Sequence, residues 1–238
     1  MLPNCELIKT DNTQFLVFKG QDLISNHLKK ELYENEIHQL CLKLLINEDP
    51  GVVLDIGANL GTFCVPLAKK IAKHTYHAFE PQRMVYYQLC ANTFINSLDN
   101  IHCHNFGLSA KEERLVLTMP DYANEGNIGA FSIDKEVRAN EYECKTEGRN
   151  ETITVFPLDG GNHKNVRLIK IDVEGHELEV LKGAKKTLKD NGYPPIIFEA
   201  WTWKPWYQKK RKALFDYLEG MGYQIRQLGE NNLAIRNK

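Results

Sequence analysis

Val52-Val53-Leu54-Asp55-Ile56-Gly57-Ala58-Asn59-Leu60-Gly61-Thr62 reads as a buried strand that ends on an acid, turns through two glycines and opens a helix. Glycine carries no Cβ and adopts positive φ freely, so backbone at such a turn can approach a bound ligand closely. The helix that follows offers unpaired N–H groups at its start. A nucleotide-like cofactor is the expected occupant, with Asp55, Gly57, Asn59 and Gly61 as its candidate contacts. The spacing is G-x-x-x-G, not the G-x-G-x-x-G of a dinucleotide fingerprint. A glycine pair of this kind also occurs after strands with no ligand, so the loop needs support from elsewhere in the chain.

That support comes from Glu80. His74-Thr75-Tyr76-His77-Ala78-Phe79-Glu80-Pro81 reads as the next strand, ending on an acid, and Pro81 suits the first turn of a new helix. Glu80 lies 23 residues after Gly57, which accommodates one helix and one strand. It is thereby placed beside the glycine loop at the carboxyl edge of a sheet, where a carboxylate accepts hydrogen bonds from both ribose hydroxyls. Asn105, at the end of the strand predicted over 100–105, joins this cofactor-binding set. The second informative motif is Leu168-Ile169-Lys170-Ile171-Asp172-Val173-Glu174-Gly175-His176-Glu177. It sets two acids and a histidine at the carboxyl end of another strand. If the chain stays extended there, Asp172, Glu174 and His176 point the same way. Their bland readings are a helix cap for Asp172 and a first-turn residue for His176. Two unpaired acids at a strand end, however, are costly without a role.

The rest of the chain alternates. A hairpin is expected over 6–19 and a helix over 27–46. Strand 51–56, helix 62–73, strand 74–79, helix 82–96 and strand 100–105 follow. Pro66 is tolerable in its helix if Thr62 is the N-cap. After residues 107–165 come strand 166–171, a helix from His176 to Lys189, strand 195–199, helix 205–219 and a closing pair, 223–228 with 232–236. This alternation implies an α/β fold with a mostly parallel sheet covered on both faces. One domain is expected over 1–238: a hairpin and helix over 1–49, then a core over 50–238. Residues 107–165 break the rhythm with strand-like pieces at 114–117 and 152–156. They read as a surface insertion or as a lid, the lid spanning 119–150.

Composition excludes several partners. Lys+Arg 30 against Asp+Glu 31 leaves a net charge of −1. No nucleic-acid partner is expected from so balanced a chain. No apolar run reaches membrane-spanning length, and the amino terminus shows no signal-peptide pattern. The six scattered cysteines read as reduced thiols of a cytoplasmic protein.

The Asp55–Gly61 loop resembles the S-adenosylmethionine (SAM) loop of class I methyltransferases. Together with Phe79-Glu80-Pro81, the block from Lys170 to Ala184 and Ile196-Ile197-Phe198-Glu199, it resembles the FkbM-type family of SAM-dependent methyltransferases. The likeness runs from about residue 50 to 200, and the Lys170–Ala184 block is its most specific part. Asn127-Ile128-Gly129-Ala130-Phe131-Ser132 is similar to a glycine–serine motif in the family's insertion, which makes Asn127 and Ser132 candidate acceptor contacts. One departure is Leu158-Asp159-Gly160-Gly161, where the family continues into a short helix and two glycines disfavour one. The resemblance implies SAM as cofactor and a Rossmann-like seven-stranded sheet with one antiparallel strand. It also implies O-methylation of a hydroxyl on a sugar, glycan or small molecule. An alcohol needs a base within hydrogen-bond reach. The candidates are His176 and Glu174, with Asp172 orienting the base or binding the methionine end of SAM, and Glu199 as a further acid. No metal is expected, because nothing beyond two acids and a histidine has ligand spacing. Trp201 and Trp203, just after Glu199, suit the apolar face of an acceptor or the closing of the core. The basic run Lys209-Lys210-Arg211-Lys212 reads as a solvated helix face, or as an attractor of an anionic acceptor. The rival functions are a nicotinamide-dependent oxidoreductase and a non-catalytic SAM-binding module.

Overall fold

A computed structural model describes residues 4–20, 22–122, 127–140 and 146–236. The chain opens with an antiparallel hairpin, β1 (Cys5–Thr10) and β2 (Thr13–Phe18), then α1 (Leu23–Leu28) and α2 (Asn35–Leu45). Next come β3 (Val52–Ile56), α3 (Cys64–Lys70), β4 (Thr75–Phe79), α4 (Arg83–Ile95) and β5 (Ile101–His104). The irregular region contains β6 (Gly107–Leu108), β7 (Glu113–Pro120), α5 (Lys135–Asn140) and β8 (Thr146–Phe156). The chain then returns through β9 (Val166–Ile171), α6 (Glu177–Lys182), α7 (Lys185–Asp190), β10 (Ile196–Glu199), α8 (Gln208–Gly220), β11 (Gln224–Leu228) and β12 (Asn231–Ile235).

The central sheet has seven strands in the order β11-β12-β10-β9-β3-β4-β5. β9, β3, β4, β5 and β10 run parallel, and β12 runs antiparallel to both of its neighbours. This is the Rossmann-like class I methyltransferase architecture. From β3 the chain winds outward through β4 to β5, then crosses back to place β9 on the other side of β3. The strand order thus reverses between β3 and β9, and a crevice opens there at the carboxyl ends, where ligands bind in open α/β sheets. Strand alternation divides the core. Val53, Tyr76, Ala78, Leu168 and Ile197 pack on one face with Phe15, Val17, Leu28, Ile37 and Cys41 of the N-terminal segment. Leu54, Ile56, Phe79, Ile169, Ile171 and Phe198 pack on the other with α6 to α8. Among the described residues no helix is long and apolar enough to cross a membrane.

Several boundaries differ from the sequence expectation. The helix expected over 27–46 is two helices. Asp22 caps α1 by accepting from the Ser25 amide at 2.8 Å, and the chain turns before α2 through Glu34 at φ +51°. The helix expected from His176 to Lys189 breaks at Gly183, against which the Ser109 carbonyl packs. The carboxylate of Asp159 then starts α7 anew, accepting from the amides of Lys186 and Thr187 at 3.0 and 2.7 Å. Leu158–Gly161, where glycines disfavour a helix, forms one 3₁₀ turn. The pieces at 114–117 and 152–156 extend into β7 and β8 of a three-stranded sheet ordered β6-β8-β7. The expected lid, 119–150, includes residues outside those described.

Pro66 lies in the first turn of α3, which starts at Cys64 and not at a Thr62 cap. Its missing N–H would have met the Thr62 carbonyl, and Nε2 of His38 donates to that carbonyl instead, at 3.0 Å. Burial lowers the pKa of His38 to about 4, so near pH 7 the ring is neutral and this bond fixes its proton on Nε2.

At the far edge, His77 Nδ1 faces His104 Nε2 at 3.0 Å. The His77 ring stacks on His102 and His104, and His163 abuts it edge-on at 4.6 Å. Burial, and then repulsion from His163, His104 and His102, lowers the pKa of His77 to about 3; burial also lowers those of His104 and His163. The unfolded chain takes up these protons near pH 6.5, so below that pH it binds more protons than the folded chain. The cluster's own contribution to stability is therefore complete above pH 6.5 and is lost as pH drops towards 3, while the buried carboxyls of the sheet's ligand crevice, whose pKa values are raised, contribute in the opposite sense. Urea unfolding between pH 7.5 and 4.5 should read this contribution as the difference between wild type and His77→Phe, the variant gaining stability relative to wild type as pH falls. A slope unchanged by that substitution would place the acid sensitivity elsewhere.

Candidate active site

The crevice between β3 and β9 is a cavity of about 300 Å³, the lower end of the range for small-molecule sites. Its floor is the glycine loop. The amides of Gly57 and Ala58 both donate to the Phe79 carbonyl, at 3.0 and 2.9 Å, which ties the loop to the end of β4. Gly57 has φ +83°, and a Cβ there would run into the Asp172 carbonyl, so only glycine fits between β3 and the acid loop. Asn59 follows at φ +51°, a conformation asparagine tolerates. Glu80, 5 % exposed, sits beside this loop as expected. Its Oε2 accepts from the Asn59 amide at 3.0 Å and its Oε1 from the Gln82 amide at 2.8 Å. Burial raises its pKa to about 7, against the pull of those amides.

The opposite wall carries carboxylates. Asp172, Glu174 and Glu199 each place an oxygen within 4.8 Å of the others, the arrangement among the described residues that could hold a divalent cation. Burial, reinforced by Asp172 and Glu177, pushes Glu174 up to about 8. Burial with Asp172, Glu174 and Glu177 pushes Glu199 up to about 10. Glu177 serves the loop itself, its Oε1 accepting from the Gly175 amide at 3.0 Å.

The counter-charge is Lys170. It is 4 % exposed, and its Nζ bonds Asp172 Oδ2 at 2.8 Å and lies 3.6 Å from Glu34 Oε2. Burial alone would lower its pKa, but Asp172, Glu34 and Asp55 outweigh it and hold the ammonium charged. Sequence reading left this lysine without a role, although a lysine between Ile169 and Ile171 in a buried strand signals a buried partner. It also passed over Glu34, Tyr33 and His27 of the N-terminal segment and Phe63, all of which line the cavity.

The structure brings Asp55, Gly57, Asn59, Glu80, Asn127, Asp172, Glu174 and Glu199 to one cavity. It does not bring His176 there. Glu174 and Gly175 take positive φ, +51° and +88°, so the chain is not extended and His176 turns away to a separate pocket with Asp134 and Lys210. Asn105 faces outward, and its Nδ2 donates to the Glu80 carbonyl at 3.0 Å. Gly61 lies behind the loop against Val65. Ser132 is buried and accepts from the Asp134 amide. Trp201 is buried under the acid loop against Tyr207, and Trp203 is 53 % exposed; neither lines the cavity.

Residues 55–225 match the methyltransferase FkbM domain. The chain belongs to the FkbM family of SAM-dependent methyltransferases. It is 26 % identical to Methyltransferase 1 of Beauveria bassiana over 187 residues, 73 % of each chain. It is 26 % identical to the hexuronic acid methyltransferase AglP of Haloferax volcanii over 68 % of this chain and 62 % of that one. The crystal structure of a methyltransferase FkbM from Methylobacillus flagellatus superposes with a TM-score of 0.51 at 20 % identity, over 78 % of this chain and 43 % of that longer one. Membership sets aside the nicotinamide reading and makes SAM the cofactor of this FkbM enzyme.

The residues present fit that cofactor. Asp55 is fully buried, lines the cavity, and neither of its oxygens has a hydrogen-bond partner of normal geometry. Burial raises its pKa to about 6, opposed by Lys170 and by the facing Cys64. A buried carboxylate whose nearest donors, the thiol and amide of Cys64, fall outside normal hydrogen-bond geometry suits a cationic ligand, and SAM carries an ammonium group. Lys170 holds the FkbM site's opposite wall in place. Lys170→Met should destabilise the protein by about 3–5 kcal/mol, because it strands Asp172 and Glu34 without their cation. A urea midpoint close to wild type would show that these acids simply take up protons.

Proposed function

We propose that this FkbM enzyme is an O-methyltransferase acting on a hydroxyl of a sugar, glycan or hydroxylated small molecule, with Glu174 as its base. The observation that carries the proposal is the convergence of Asp172, Glu174 and Glu199 on the cofactor cavity. The relative named as a hexuronic acid methyltransferase supports a sugar-type acceptor. When bound, SAM supplies an activated methyl group on a sulfonium. Asp55 would meet its ammonium end, and Glu80, which keeps acceptor capacity beyond its two amide bonds, would take the ribose hydroxyls. Phe63 and Phe131 furnish apolar wall, which limits water and strengthens charge interactions inside.

Glu174 would take the proton of an acceptor hydroxyl placed against the acid wall, while the sulfonium, its S–CH3 bond broken in favour of the acceptor oxygen, would leave as the neutral thioether. A carboxylate lifted to about 8 is a stronger base than an ordinary one, yet is still largely ionised at mildly alkaline pH. Glu199, lifted further, keeps a proton and can donate to a second acceptor oxygen. Lys170 fixes Asp172 beneath them through the 2.8 Å bond to Oδ2.

Two measurements test the assignment. Asp55→Asn removes a buried charge without changing shape. It should leave the chain folded, Asp172 and Glu34 still pairing Lys170, while weakening calorimetric binding of the demethylated product, S-adenosylhomocysteine, about tenfold or more. Unchanged affinity would remove Asp55 from the site. For the base, labelled SAM offered with panels of glycans and small hydroxylated metabolites identifies an acceptor. On it, Glu174→Gln should lower turnover about 10²–10⁴-fold with product binding intact. In the wild type, activity should rise with pH through about 8 as Glu174 ionises. Wild-type turnover in the Gln variant would move the base to Glu199 or Asp172.

A further inference from the structure

We infer that His176 is a positioning residue: it latches the roof of the cavity, residues 128–140, onto the loop that carries Asp172 and Glu174. The roof enters the cavity through Gly129, Phe131 and Ile133. On its inner side it is held to the cofactor loop. Gln82 Nε2 donates to the Ile128 carbonyl at 3.2 Å, and Gly129 packs on the Asn59 side chain.

On its outer side the roof turns at Asp134, which starts α5 by accepting from the amides of Glu136 and Val137 at 2.9 and 3.1 Å. The other oxygen of Asp134 points back at the core. Lys210 Nζ approaches it at 2.5 Å and His176 Nδ1 at 3.6 Å. The far nitrogen of the same imidazole, Nε2, lies 3.0 Å from Ser109 Oγ on the segment after β6. His176 and Asp134 are each about one-seventh exposed, with side chains at 13 % and 14 %. One ring, itself on the acid loop, thus meets two segments remote in sequence: Ser109 just after β6 through a hydrogen bond, and Asp134 of the roof through a polar contact too long for one.

The neighbouring geometry shows why the joint matters to the site. His176 follows Glu174 and Gly175, both at positive φ, and this kink aims Glu174 into the cavity and His176 out of it. A Cβ at Gly175 would lie 2.6 Å from Val137 Cγ2, so the first turn of α5 rests directly on the kink. Movement of the roof away from the core would uncover the cavity and free the Glu174–Gly175 kink together. A triad-like hydrolytic role for Ser109, His176 and Asp134 does not fit, because Ser109 is buried and lines neither the cavity nor the His176 pocket.

Hydrogen exchange on the full chain with saturating S-adenosylhomocysteine tests the latch without any acceptor. In His176→Ala, peptides from 128–140 and 172–176 should exchange about ten- to hundredfold faster, while those from β3 and β4 keep wild-type protection. Asp134→Asn should give the same pattern. The double variant should be no faster than the worse single one, since both remove one joint. His176→Gln, which can reach one partner but not both, should fall between. Additive acceleration spread over the whole chain would mean general destabilisation and overturn the inference. Unchanged exchange at 128–140 would also overturn it. If turnover on an identified acceptor then fell 10²–10⁴-fold, His176 would be acting on protons.

Discussion

The ammonium of Lys170 is buried in the sheet where the strand order reverses, with Asp55 of β3 beside it in register and Ile197 of β10 on its other side. An isolated ion could not remain charged there. It stays charged because Asp172 bonds it, Glu34 reaches it from the N-terminal segment and Asp55 adds its field. Those carboxylates are in turn tolerated in a largely buried crevice because the lysine is present. The side of the sheet that bears Val53 and Leu168 also bears Asp55 and Lys170, so one strand alternation sets both the apolar core and the charged wall.

The remainder of the wall is under-neutralised. Burial first, and then the mutual repulsion of Glu174, Glu199 and Asp172, outweighs the pull of Lys170 and, at Glu174, of Lys204, so both glutamates hold protons more tightly than ordinary carboxyls. The cofactor side repeats the pattern with Asp55 and Glu80. A cavity lined this way favours a cationic cofactor and supplies groups able to exchange protons near neutral pH. The cost is stability at the site, borne by the apolar packing on both faces of the sheet.

Closure comes from parts of the chain far from the glycine loop. Asp22 and Glu34 lie in the segment ahead of β3. Asp22 caps α1 and accepts weakly from the Ile128 amide of the roof, at 3.4 Å. Glu34 takes a hydrogen bond from Asn231 of β12 at 2.6 Å while facing Lys170. The N-terminal segment, the insertion and the closing hairpin are therefore joined through side chains that also border the site.

The α/β class, the strand positions, the glycine loop, Glu80 beside it and the acids at 172–174 and 199 were legible in the sequence. Each is a local matter: alternation along a strand, a glycine forced by close approach, a charge at a strand end. Lys170 was visible as a lysine in an apolar strand, but its partners were not. Glu34 stands 136 positions earlier in the chain, and only packing of the N-terminal segment on that face brings it near. The tertiary structure alone decided the direction of His176. Alternation by two presumes extended backbone, and the positive φ angles of Glu174 and Gly175 reverse it. It likewise decided that Trp201 supports the acid loop from beneath while Trp203 stays outside, since hydrophobicity is the same for both and depth is set by what packs above them.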